Sequence, residues 1–115
     1  MYYKDEYHEQ QTKELLAVFN KEEVLDDIEY GVFSYLVGGI GKVKGIKKTI
    51  DEYGNIDISK VYKEIEVYSS SERSIVRFAM QCFNSNIDDI TLAELMYSLD
   101  ASNTRLVKQA IDLRY

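Results

Sequence analysis

Residues 69–84, SSSERSIVRFAMQCFN, constrain the fold more than any other stretch of the chain. Ser69 lies three residues before Glu72, the spacing of a capping box. In that motif the hydroxyl accepts from an early helix N–H while the carboxylate reaches back to the first N–H. The helix this opens carries Ile75, Val76, Phe78, Ala79, Met80, Cys82 and Phe83, and only Arg73, Arg77, Gln81 and Asn84 make a polar stripe at helical spacing. A helix apolar over most of its circumference needs neighbours on most sides. The expected fold is therefore all-α: a compact single-domain bundle of about six helices around a central apolar helix at about 70–84.

The rest of the chain is consistent with that plan. It has no Pro, which suits helices because Pro removes a backbone donor and clashes inside the turn. Its 115 residues fit one domain, 1–115, and suffice for a core without disulfides or metals. A first helix is expected over about 5–20, with Leu15, Leu16, Val18 and Phe19 inward. A second is expected over 26–37, with Leu25, Ile28, Val32, Phe33 and Leu36 on its apolar side. Gly31 inside it costs about 1 kcal/mol relative to Ala and indicates close packing or a kink. Gly38-Gly39-Ile40-Gly41 stops it. A third helix is expected with Val43, Ile46, Ile50 and Tyr53 on one side, ended by Gly54-Asn55. Residues 56–58 read as a short extended link, and 59–67 as a fourth helix through Val61, Tyr62 and Ile65. Thr91 and Glu94 repeat the capping-box spacing before a short helix through Leu95, Met96 and Leu99. Asp100 caps a last helix to Tyr115, with Leu106, Val107, Ala110, Ile111 and Leu113 inward.

Charge is unevenly spread over a net −6. Residues 1–30 carry three Lys against nine Asp and Glu, whereas residues 31–48 carry four Lys and no acid. An acidic surface repels phosphate backbones, so direct nucleic-acid binding is not expected. It suits a basic protein partner, or imitation of a nucleic acid's charge, as well as a plainly solvated face. Tyr2, Tyr3, Tyr7 and Tyr30 lie in the same acidic third, and Tyr gives large contact area at interfaces. The candidate partner-binding residues are Tyr2, Tyr3, Asp5, Glu6, Tyr7, Glu9, Glu22, Glu23, Asp26, Asp27 and Tyr30. The alternative for the tyrosines is packing against the domain's own edge. A secondary basic patch, Lys42, Lys44, Lys47 and Lys48, is open to an acidic partner or to this protein's own acidic third, within one copy or across two.

Catalytic constellations do not assemble. A Walker loop needs Ser or Thr after Gly-Lys and a Gly five residues before that Gly, but here Val43 and Leu36 stand there. The dinucleotide pattern fails at Lys44, where its third Gly belongs. His8 projects toward the apolar side of the first helix and reads as a half-buried histidine bonded to a backbone group or carboxylate. Cys82, the only cysteine, lies in the most apolar helix, where burial raises its pKa. A lone cysteine forms no disulfide within the chain and indicates a reducing compartment. Asp26-Asp27 and Asp88-Asp89 are sequence neighbours that share no helix face, so neither is an acid/base dyad; the second pair favours a nearby helix N-terminus. No run is long enough to span a membrane, and MYYKDEYHEQQ has no signal-peptide core, so a cytoplasmic location is expected. No cofactor or metal is expected.

Three stretches carry a family resemblance. They are Tyr2-Tyr3 with Glu6 and His8 before Leu15-Leu16, the segment SSSERSIVRFAMQCFN, and the closing SLD and IDLRY around Asp100 and Arg114. Together they resemble a family of small uncharacterised proteins from phages and prophages of Gram-positive bacteria. The resemblance implies a mobile genetic element, where small acidic proteins act by binding host proteins. The expected function is thus that of a non-enzymatic accessory protein. It would bind and inhibit a host protein, such as a basic nucleic-acid-binding defence factor, as an anti-CRISPR-like inhibitor with an acidic, Tyr-rich face. The alternative is a structural or assembly protein acting as a homo-oligomer.

Overall fold

Local capping chemistry sets where the helices begin. The computed structural model describes residues 1–87 and 90–115. Asp88 and Asp89, expected to favour a helix N-terminus, lie outside the described residues. Among the described residues there are seven α-helices: α1 (Glu6–Val18), α2 (Ile28–Gly39), α3 (Val43–Lys47), α4 (Ile58–Glu64), α5 (Ser70–Phe83), α6 (Leu92–Tyr97) and α7 (Ala101–Arg114). Two 3-10 turns, Val24–Asp26 and Ile65–Val67, precede α2 and follow α4.

Asp5, Asp27, Asp57, Ser69, Thr91 and Asp100 each accept a backbone N–H two or three residues on, which satisfies a donor the first helical turn cannot. The Ser69 capping box is complete: Glu72 N–H reaches Ser69 Oγ at 3.3 Å, and Ser69 N–H reaches Glu72 Oε1 at 3.1 Å. The α2 end also forms as expected. Gly41 takes φ +69°, a left-handed conformation that favours glycine. From there Gly41 N–H returns to Gly38 O and Lys42 N–H to Val37 O, a Schellman closure.

The all-α expectation holds, but the axis of the bundle is α2 rather than α5. Residues 31–38 of α2 are buried without a break. The helix packs against α1, α5, α7, α3 and the Val24–Asp26 turn. Small residues allow this. A Cβ on Gly31 would stand 2.0 Å from the Val24 carbonyl oxygen, and one on Gly38 would stand 2.6 Å from Thr12 Oγ1. Helix α5 lies one layer out. It buries Ile75, Val76, Phe78, Ala79, Met80 and Cys82 against α2 and its neighbours, and leaves Ser70 and Arg73 exposed.

Two expected helices are shorter than their apolar spacing implies. The third stops at Lys47. Thr49 Oγ1 then bonds the Ile46 carbonyl, and Asp51 Oδ1 accepts from both Tyr53 N–H and Asn55 N–H. Side chains that bond the backbone locally compete with helix continuation. The result is a tight turn closed by an Ile50–Ile56 bridge, with Tyr53 81% exposed rather than inward. The fourth tightens to a 3-10 turn at Ile65. The radius of gyration, 12.6 Å, is close to the ~13 Å expected of a domain this long.

Candidate functional site

The acidic N-terminal third is organised by the strap at residues 2–4, which lies across α2 and α7. Tyr2 N–H donates to Gln109 Oε1 at 2.9 Å, and the Tyr35 hydroxyl donates to the Tyr2 carbonyl. The Arg105 guanidinium lies 4.1 Å from the centre of the Tyr2 ring, within cation–π range. Lys4 Nζ donates to Asn103 Oδ1. The Tyr3 ring meets His8 and Tyr35 edge-on at 4.9 and 5.7 Å.

His8 sits beneath the strap at 2% exposure, deeper than the half-buried position its spacing implies. The Lys4 N–H donates to its Nδ1 at 3.0 Å, so the ring proton is on Nε2, which faces the Tyr35 carbonyl at 2.9 Å. Burial pushes its pKa below the ordinary histidine value, and Lys4 adds to this; the Tyr35 bond, Asp5 and Glu9 pull the other way. The imidazole is a neutral structural group with both nitrogens committed.

The eleven candidate binding residues divide into two kinds. The rings of Tyr2, Tyr3 and Tyr30 are half-buried in the protein's own packing, Tyr30 lying 4.6 Å from Phe19 and 5.1 Å from Phe83. Only Tyr7 among these tyrosines stands out, 56% exposed. Asp5 and Asp27 are helix caps, and Asp27 also faces Lys21 at 4.0 Å. Asp26 Oδ2 accepts from Glu22 N–H and Glu23 N–H at 3.1 and 2.9 Å, and these bonds hold its carboxyl below the usual range. Glu9 pairs weakly with Lys13 at 4.0 Å. Among the described residues, Glu6, Glu22 and Glu23 are exposed and have no cation within pairing distance.

Burial raises the Tyr3 pKa first, and the charges of Glu9 and Glu23 raise it further. A carboxylate from α1 and one from the loop before α2 therefore act on one phenol. Leu25, next in sequence to the exposed Asp26, is exposed as well. Its helical spacing put it on an apolar face, but the 3-10 turn that precedes the Asp27 cap aims it outward at 66% exposure, between buried Val24 and Asp26.

The lysine patch is partly consumed within the chain. Lys47 pairs with Glu14 at 3.1 Å. Lys42 lies 3.8 Å from Glu72 and 4.9 Å from the Tyr68 ring centre. Lys44 and Lys48 are exposed and hold no ion pair among the described residues. Lys48 borders a cleft of about 430 Å³ that also holds Lys60, Asp51 and Asp57, so its charge is mixed rather than basic.

Elsewhere the reactive side chains are enclosed. Cys82 is buried and its thiol is pushed up to about 12 by that burial, which Arg114 only partly opposes. Among the described residues no three His, Cys, Asp or Glu side chains gather in a group suited to a metal ion. No described helix is long and apolar enough to cross a membrane. No family model, curated protein or solved structure matches the chain, so a functional reading rests on this geometry.

Proposed function

We propose that this protein is a non-enzymatic binder of a basic protein surface. In this reading it is a phage or mobile-element accessory protein that inhibits a nucleic-acid-binding host factor in an anti-CRISPR-like, anti-defence manner. The supporting observation is that Glu6, Glu22 and Glu23 are exposed and without cation partners among the described residues. Tyr7 and Leu25, next in sequence to Glu6 and Asp26, supply exposed apolar area beside the charge. Carboxylates held on a rigid scaffold attract a basic groove and steer it into register. The mobile-element origin rests on the motif resemblance alone.

The test compares capture from a Gram-positive host lysate by the wild type and by a variant with Glu6, Glu9, Glu22 and Glu23 all changed to Lys. The expected result is a basic protein held by the wild type and displaced by added duplex DNA. The variant should bind that protein about tenfold more weakly or worse, with unchanged helix content. Equal capture by both proteins ends this reading.

A second reading, homo-oligomeric assembly through lysine–acid contacts, draws on exposed Lys44 and Lys48. Light scattering across salt concentrations separates the two. An oligomer that dissociates as salt rises favours assembly, and a monomer at every salt concentration rules it out.

A further inference from the structure

The enclosure of His8, the one histidine of the chain, is made of two unlike parts. Tyr35, whose ring centre lies 4.8 Å from that of the imidazole, and Gly39, where a Cβ would stand 3.2 Å from Nε2, belong to α2. Tyr3 and Lys4 belong to the strap, which lies in no helix and makes no backbone–backbone hydrogen bond among the described residues. Side chains moor the strap to the bundle: Gln109 and Asn103 of α7, the Tyr35 hydroxyl, and the Arg105 guanidinium over the Tyr2 ring.

The strap is also where a change of protonation on the ring is felt. Lys4 N–H donates to Nδ1 at 3.0 Å, while Nε2 faces the Tyr35 carbonyl. A proton on Nδ1 turns that acceptor into a second donor, so two N–H groups would oppose each other. The charges around the ring are divided. Lys4 disfavours the cation, and Asp5 and Glu9 favour it. Tyr3 and Tyr35 face it as un-ionised phenols, because burial raises the pKa of both. From α7, Arg105 acts on Tyr35, and at its cap Asp100 acts on Lys4. Two rearrangements relieve the opposed donors. Unfolding exposes the whole core, whereas lifting residues 2–4 breaks a few side-chain contacts and brings water to the ring. Lifting the strap is the smaller opening.

We propose that residues 2–4 are an acid-released latch: a proton on His8 lifts the strap from α2 and α7 while the helical core stays folded. Opening uncovers the Tyr35 hydroxyl and releases Asn103, Arg105 and Gln109 of α7, a polar patch beside an aromatic ring that the strap covers at neutral pH. The latch is separate from the function proposed above and does not depend on it.

A single histidine gives a single imidazole signal by NMR. As pH is lowered from neutrality until the ring titrates, the amides of residues 2–4 should shift with the same midpoint as the ring, below about 6.5. Core amides such as those of Val37 and Met80 should keep their native shifts through that transition. Replacing both moorings, Asn103→Ala with Gln109→Ala, leaves His8 in place and should raise the midpoint by about half a unit or more, since each lost bond makes opening easier. In His8→Gln the transition of residues 2–4 should be absent. The proposal is overturned if the ring titrates while the strap amides stay still, or if strap and core signals are lost together. It is equally overturned if the α7 double variant keeps the wild-type midpoint, or if His8→Gln shows the same strap transition.

Discussion

His8 Nε2 donates to the backbone carbonyl of Tyr35 across 2.9 Å, joining the first turn of α1 to the middle of α2. With Nδ1 already accepting from Lys4 N–H, a second ring proton would face a donor. The folded protein therefore holds His8 neutral, and acid opposes that arrangement.

Stability should accordingly fall below about pH 6.5, because the His8 pKa is lower in the folded chain than in the unfolded one. Unfolding takes up a proton over that interval, so the contribution is complete above the unfolded value and lost as pH falls through the folded one. The limiting slope is about 1.4 kcal/mol per pH unit. Asp26, Asp51 and Asp57 are held below their ordinary values and act only at lower pH, below about 4. Urea unfolding at steps between neutral and mildly acidic pH should show the slope in the wild type and a flat profile in His8→Gln.

Gly31→Ala should destabilise the protein by about 2 kcal/mol or more, although Ala is normally the better helix former by about 1 kcal/mol. The new methyl would meet the Val24 backbone, which cannot rotate away as a side chain does. Denaturant midpoints of the two proteins decide this, and a gain in stability would mean that the Val24–Asp26 turn is loosely held.

Ser69→Ala should cost about 1 kcal/mol, since it removes the acceptor for Glu72 N–H at the start of α5. Ser69→Asp should restore most of the loss. Thermal or urea melts of the three proteins give the comparison, and an unchanged Ala variant would show that the cap is dispensable.

Cys82 should react with a thiol reagent only when the structure opens. Its burial and its pKa near 12 leave almost no accessible thiolate at neutral pH. Labelling should speed up by orders of magnitude in denaturant. Arg114→Ala, which removes the bond from Arg114 Nε to the Cys82 carbonyl, should raise the native rate modestly by loosening the end of α7.

The parts of this fold readable from the chain are those decided within a few residues. Asp5, Ser69, Thr91 and Asp100 mark helix starts because the capping acceptor and its N–H are three residues apart. The prominence of α5 came from counting large apolar side chains. The axis went instead to α2, whose Gly31 and Gly38 let the Val24 turn and α1 approach. Residues 48–57 follow Thr49 and Asp51 rather than the Ile46–Ile50–Tyr53 spacing, because their side chains capture backbone groups first. At the candidate site, the acidic character of Glu6, Glu22 and Glu23 was plain from local charge. The packing of Tyr2 and Tyr3 was not, since their partners Gln109, Arg105 and Tyr35 are far along the chain.

That separation has a consequence for how the protein comes off the ribosome. Asn103, Arg105 and Gln109, which hold Tyr2 and Lys4 in place, lie on α7 and are synthesised well after the residues they hold. Residues 2–4 must wait, loose, until α7 has emerged. The enclosure above His8 is thus sealed only once α7 is made, not when α1 and α2 first meet.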